Sequence, residues 1–349
     1  MNKAKVIFTI IITLIVSIFT IIVLSKKNDY TEVTANAYVA SMGLDYSEEK
    51  ETYTVYLYIL NNFNISRSEY GTASPDSLGY ICKGEGKSIA EALSNINRHS
   101  NIRLQYSHIR TLVLKDTFFT RRSILHLYKH IKLSTEFYPT FYVYTTSDDL
   151  LKIYNVNNFS ETSAYYTILI NNDTINKAKE ITYLDYINDI LMSTYTTSYP
   201  ILTVSEDIFY EKDNPITSID ITGYSYMTDD YLLSSFTFNN LNGLKHLNKL
   251  SKNVISYKEF DFLVFEYKLK KKLTNKTLKI NITASGTFVN KQDSTKDYTN
   301  ELIKKITSDL NQLKQTMDEY HIDVFNIDYL SGIKDSYLTT NIEYNIKIL

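Results

Sequence analysis

A histidine pair, two aspartate pairs, a lone cysteine and one glycine-lysine-serine step are the residues whose types and spacing could do chemistry in this chain. His126 and His130 stand four apart, which on a helix puts both rings on one face and supplies half of a zinc site. No Glu follows His126, and no third ligand sits at a recognisable spacing, so no metal is expected. Gly86-Lys87-Ser88 imitates the end of a phosphate-binding loop, but that motif needs a second glycine where Ile81 stands. Ser88 and Glu91 are better read as a capping box that opens a helix. Asp148-Asp149 and Asp229-Asp230 have the composition of acid/base pairs, and equally that of helix caps and turns. His108, ahead of an apolar run, reads as a hydrogen-bonding histidine. Cys82 stands alone, so it builds neither an intramolecular disulfide nor a cysteine-cluster metal site, and no Gly-x-Ser-x-Gly elbow occurs. The expectation is a non-enzyme without metal or cofactor.

The 349 residues carry 37 Lys and Arg against 39 Asp and Glu, a formal charge of −2 that is too near neutral for a protein gripping nucleic acid through its phosphates. At 44% hydrophobic and 22% charged, the chain has the composition of a globular protein. Its aromatic content is 31 Tyr and 16 Phe with no Trp, rings suited to half-buried strand positions.

Val6 to Ser25 contains no charge over twenty positions. At about 1.5 Å per residue, a helix of that length spans the roughly 30 Å hydrocarbon core. Val6, Ile10, Leu14, Phe19 and Leu24 mark the expected membrane anchor, with Lys3 and Lys5 before it and Lys26 and Lys27 after it. Ala35-Asn36-Ala37 fits a signal-peptidase pattern but lies too far beyond the apolar run to be its cleavage site. Thr9, Thr13, Ser17 and Thr20 recur on one stripe, a candidate interface with another membrane helix; the alternative is that these hydroxyls bond their own helix carbonyls.

Beyond the anchor, strand and helix patterns alternate. Thr52–Leu60 reads as a strand with Val55, Leu57 and Ile59 on one face and a tyrosine-rich second face. Helices are expected from Ser88 to about His99, over Arg121–Leu133 and over Asp173–Met192, and strands over Ile109–Leu114 and Thr140–Thr145. Pro200 and the polar Glu211-Lys212-Asp213-Asn214-Pro215 read as a domain junction. A hairpin from Ser218–Tyr226 to Leu232–Phe238, a short helix near Leu241–Leu250 and two alternating segments, Val254–Lys268 and Thr277–Val289, follow. A long helix over Tyr298–Tyr320 and a last strand carrying Ile342, Tyr344, Ile346 and Ile348 complete the pattern. The lysines from Lys268 to Lys272 read as a solvated loop.

Several stretches in this order are similar to the GerAC, or Ger(x)C, family, the C subunits of spore germinant receptors. Ala37-Tyr38-Val39-Ala40-Ser41-Met42-Gly43-Leu44-Asp45 resembles the family's opening strand, and Gly84 to Ala92 its Gly-x-Ser/Thr-x-x-Glu-Ala helix start. Leu104 to Leu114 resembles its histidine followed by a buried strand, and Ile221 to Asp230 the hairpin that opens its C-terminal half. In Val23-Leu24-Ser25-Lys26 a lysine stands where the family usually carries a lipid-bearing cysteine, so a spanning helix would replace the lipid. The residue patterns and the resemblance together lead to the expectation of an α+β fold: an N-terminal membrane helix over 1–27 as signal anchor, read from the uncharged run, then two mixed α/β lobes with antiparallel-rich sheets, a GerAC-like N-terminal domain over 28–210 and a C-terminal one over 216–349. The resemblance also implies a single-pass subunit on the outer side of the spore inner membrane, assembled with integral membrane A-type and B-type receptor subunits through strand and tyrosine-rich surfaces. A membrane-anchored cell-envelope enzyme or adhesin, with Asp229 and Asp230 as its catalytic candidates, is the alternative.

Overall fold

The computed structural model describes residues 36–60, 79–156, 181–191, 196–211, 213–227, 233–247 and 254–349, together with Thr13 and Ser17. Thirteen strands among these form two mixed sheets, with few helices. The larger sheet contains β1 (Asn36–Ser47), β2 (Thr52–Leu60), β3 (Gly79–Gly86), β4 (Arg103–Gln105), β5 (Thr111–Lys115), β6 (Tyr142–Thr146), β7 (Thr197–Glu211), β8 (Asn214–Met227) and β9 (Leu233–Thr237). Its order is β3-β2-β1-β5-β6-β7-β8-β9, with β4 also beside β1. Antiparallel hairpins occupy both ends. The centre, β1-β5-β6-β7, is parallel, which differs from the antiparallel-rich sheet expected.

Both faces of that centre are covered, as parallel strands require. Helices α1 (Ile89–His99), α2 (Arg121–Leu133) and, further along, α4 (Tyr183–Leu191) pack Ile96, Leu127 and Tyr186 against Met42, Leu44, Leu57 and Leu112. The short α3 (Leu150–Tyr154) covers the other face, where Ile153 and Tyr154 meet Ala40, Tyr56, Tyr58 and Leu202. The tyrosine-rich face of β2 is therefore interior: Tyr56 and Tyr58 are buried there, and Tyr53 is buried on the opposite face with Val55 and Leu57. Polar side chains enclosed in this sheet satisfy one another. Ser41 Oγ lies 2.6 Å from Thr111 Oγ1 and 3.0 Å from Tyr154 Oη, and Ser225 Oγ lies 2.9 Å from Thr145 Oγ1 and 2.8 Å from Ser235 Oγ.

The smaller sheet contains β10 (Val254–Tyr257), β11 (Phe260–Thr274), β12 (Thr277–Val289) and β13 (Asn341–Ile348), in that order. The last strand joins parallel to β12, with Ile342 opposite Leu278 and Ile346 opposite Ile282. One face of this sheet receives α6 (Thr299–Tyr320), whose Leu302, Ile306, Leu310, Leu313 and Met317 are wholly buried against Phe262, Val264, Ile280 and Ile282. The stripe ends one turn before Tyr320, which is half exposed and meets the Phe236 ring edge-on at 5.2 Å. Lys268, Lys270 and Lys272 are not in a loop; they alternate on the outer face of β11.

The polar run 211–215 is likewise not a linker. Glu211 pairs with Asn214 at the tip of the β7–β8 hairpin, so the larger sheet continues across it to Thr237. Within that hairpin β8 carries one extra residue: Ile201 pairs with Gly223 and Leu202 with Ile221, leaving Thr222 as a bulge. Gly223 allows β9 to close on the bulged strand, because a Cβ there would sit 2.0 Å from the Phe236 carbonyl oxygen. Gly223→Ala is expected to cost about 1–3 kcal/mol, through displacement of backbone rather than of a flexible side chain. A urea midpoint equal to that of the wild type would show that β9 does not pack as closely as described.

Candidate functional site: a polar cleft at the bulge

A cleft of about 650 Å³ lies at the bulge. β7 contributes Ile201 and Thr203, and β8 contributes Asp220 and the bulged Thr222, whose hydroxyl lies 2.8 Å from that of Thr203. β9 adds Ser235 and Thr237, and the segment after it adds Phe238, Asn239 and Asn240. Asp116 and Ser147 close the cleft from the first residues after β5 and β6, the carboxyl ends of two parallel strands. That end of a parallel sheet is where open α/β sheets commonly hold ligands.

Lys245 completes the lining from α5 (Gly243–Leu247). This one-turn helix is fixed by its neighbour His246, which is buried and lies 3.1 Å through Nε2 from Asp309 Oδ2 of α6. Lys305 Nζ donates to the other Asp309 oxygen at 2.6 Å. Burial pushes the Asp309 carboxyl up, but the hydrogen bonds from His246 and Lys305 outweigh it and hold the group below its ordinary value. Gly243 permits the approach, since a Cβ there would lie 2.4 Å from the Asp309 carbonyl oxygen. Adjacent residues of α5 thus serve two purposes, His246 as the tether and Lys245 as the cleft's ammonium.

Asp116 is half-buried, and its carboxyl is pushed up to about 6. Desolvation is the main cause; Lys115 opposes it and Asp148 reinforces it. Asp220 Oδ1 accepts the N–H of Ile221 at 2.9 Å. The cleft therefore carries two carboxylates, one ammonium, several hydroxyls and amides, and an apolar patch from Ile201, Ile221 and Phe238. Sequence reading passed over Asp116, Asp220, Thr222 and Lys245 because each is an isolated polar residue. The available clue was Thr222-Gly223, a glycine inside an otherwise alternating strand.

The residues singled out by sequence are dispersed. Ser88 Oγ accepts the N–H of Glu91 at 3.1 Å as the N-cap of α1, while Glu91 Oε2 accepts from Lys87 N–H at 2.8 Å, one residue earlier than a standard capping box. His126 Nδ1 lies 2.8 Å from the Tyr53 hydroxyl, and His130 packs edge-on to Phe137 at 5.5 Å. No cluster of three metal-ligating side chains occurs among the described residues. His108 lies edge-on to Tyr38 at 4.6 Å. Asp149 caps α3 through Leu151 N–H, and Asp148 accepts from Val204 N–H at 2.8 Å. Cys82 is half-buried on β3, and burial pushes its thiol up, the opposite of an activated nucleophile.

Asp229 and Asp230, and Val6, Ile10, Leu14, Phe19, Leu24, Thr9 and Thr20 of the expected anchor and interface, lie outside the described residues. Thr13 and Ser17 are helical and exposed. No described helix is long and apolar enough to cross a membrane.

Comparison with known proteins adds a family. Residues 29–204 match the spore germination protein N-terminal domain. The crystal structure of the GerBC protein is similar over 88% of this chain and 97% of that one, at 15% identity and a TM-score of 0.46. No curated protein matches. The match spans half of the chain, and the chain belongs to this family of spore germination proteins, the C-subunit family of germinant receptors. Its members are receptor components, not enzymes.

The elevated Asp116 carboxyl has a stability consequence. Its folded value of about 6 exceeds the unfolded value of about 4, so the stability it contributes is complete below pH 4 and is lost as pH rises through 6. Asp116→Asn is expected to be more stable than the wild type at pH 7.5, by on the order of 1 kcal/mol after discounting for the exposed part of the group. The advantage should vanish near pH 4. Urea unfolding of both chains at the two pH values measures it, and a pH-independent difference would contradict the assignment.

Proposed function

We propose that this protein is a membrane-anchored, extracytoplasmic subunit of a nutrient germinant receptor, acting in spore germination by assembly with integral membrane A-type and B-type subunits. The observation that carries the reading is the match to the spore germination protein N-terminal domain over residues 29–204. Support for the anchor comes from the uncharged run Val6 to Ser25, long enough to cross the hydrocarbon core of the spore inner membrane. In this reading residues 1–27 are the anchor, marked by Val6, Ile10, Leu14, Phe19 and Leu24, and Thr9, Thr13, Ser17 and Thr20 meet a partner helix. The GerAC-like domains of 28–210 and 216–349 belong to the same proposal, with the β7–β8 hairpin carried across their boundary.

Anchoring assists assembly physically. Subunits confined to one plane meet at a raised effective concentration, so modest contacts suffice. The tyrosines of β2 do not make those contacts, since they are interior.

In a strain without redundant receptors, deletion of the gene is expected to abolish germination by nutrients while leaving triggers that act downstream intact; a normal nutrient response would refute the reading. A chain lacking residues 1–27 should appear in the soluble fraction and fail to complement. Replacing Thr9, Thr13, Ser17 and Thr20 together by Leu should leave the chain in the membrane but reduce recovery of multi-span partners with it, and unchanged recovery would remove the interface.

A further inference from the structure

We propose that the cleft at the β8 bulge binds a small hydroxylated organic cation, of the amino alcohol or amino sugar class. Three features of the cleft converge on it. The volume, about 650 Å³, is in the range that encloses small ligands. Its position at the carboxyl ends of β5 and β6 places Asp116 and Ser147 where a parallel sheet presents loop residues to a ligand. Its lining has a fitting composition: Asp116 and Asp220 offer acceptors to an ammonium, while the hydroxyls of Thr222 and Thr237 and the amides of Asn239 and Asn240 offer donors and acceptors to hydroxyl groups. The Phe238 ring and the Ile201 and Ile221 side chains give a carbon backbone an apolar surface.

Charge favours a cation over an anion. Two carboxylates and one lysine line the cleft, and the interactions that set the Asp116 proton come from Lys115 and Asp148, not from Lys245. Lys115 is itself engaged 3.5 Å from Asp45 Oδ2. A bound ammonium would supply the countercharge that a half-desolvated Asp116 lacks, so binding stabilises its ionised form and displaces its proton. Affinity should therefore rise with pH through about 6 and level off above; Lys115 and Asp148 are the charged groups that act on this carboxyl, and Asp220 and Lys245 line the same cleft. The inference is independent of the assembly reading, because binding by the purified chain needs no partner.

The test is equilibrium dialysis of the full chain in non-ionic detergent against radiolabelled D-glucamine, with sorbitol and butylamine as probes carrying only its hydroxyls or only its charge. Saturable D-glucamine binding at pH 7.5, in about the millimolar range or tighter, is expected, with both partial probes at least about tenfold weaker. Asp116→Asn and Thr222→Val should each weaken it by about tenfold, the first of them in a chain that is more stable than the wild type, so unfolding does not explain the loss. Lowering the pH to 5 should weaken the wild type and leave Asp116→Asn unchanged. No saturable uptake to roughly 10 mM, sorbitol binding as tightly as D-glucamine, or wild-type affinity in Asp116→Asn would each overturn the proposal.

Discussion

One extra residue in β8 governs how this chain packs. Before the bulge, Ile219 and Ile221 point into the cluster under α3; after it, Tyr224 and Tyr226 enter the core beneath α6, and Phe238 touches both clusters. Because side chains alternate with a period of two, inserting Thr222 shifts the inward positions from odd to even numbers without turning the strand over. Met227, on the opposite face, closes the core beneath α1 and α2. A single strand therefore joins all three apolar clusters, and both the polar cleft and the contact between the larger sheet and the long helix depend on where its ladder breaks.

The interior is polar where it needs to be. A parallel sheet centre covered on both faces removes Ser41, Thr111 and Thr145 from water, Ser225 of the neighbouring β8 is buried beside them, and each hydroxyl is paired with a neighbour. The same logic holds in the loop after α6, where the Asp328 carboxylate accepts the N–H groups of Asp335 and Tyr337 and the Ser336 hydroxyl. These acidic and hydroxyl residues are structural clasps. The cleft differs in that its hydroxyls and amides border a cavity, and the desolvation of its Asp116 outweighs the opposing charge of Lys115.

Family membership and the cleft rest on different grounds. The match over residues 29–204 assigns the chain to spore germination proteins, whereas the cleft draws Ser235, Thr237 and Lys245 from beyond that segment. The proposed small-molecule binding and the proposed assembly with membrane subunits thus rest on separate observations. α5 links the cleft to the long helix: Lys245 belongs to the cleft, while His246 is held by Asp309 of α6.

Elements with strong local signals were legible in the sequence. Arg121–Leu133 and Thr52–Leu60 have the extents read from their periodicity, and α6 starts one residue after the expected Tyr298. Ser88 caps its helix as its spacing with Glu91 required. Strand direction was not legible, because alternation of side chains is the same in parallel and antiparallel ladders, so the parallel centre β1-β5-β6-β7 was hidden. Nor was it legible that the second face of β2 would be covered, since tyrosine fits a wet face and a buried one alike. The polar tip 211–215 looked like a linker because turn residues and linker residues are the same residues. By itself, the sequence determined the local elements, the uncharged leading segment and the family. Tertiary structure alone decided that Asp116, Thr222 and Lys245, far apart along the chain, share one cleft, because that depends on sheet order and on a bulge whose position is set by pairing between strands.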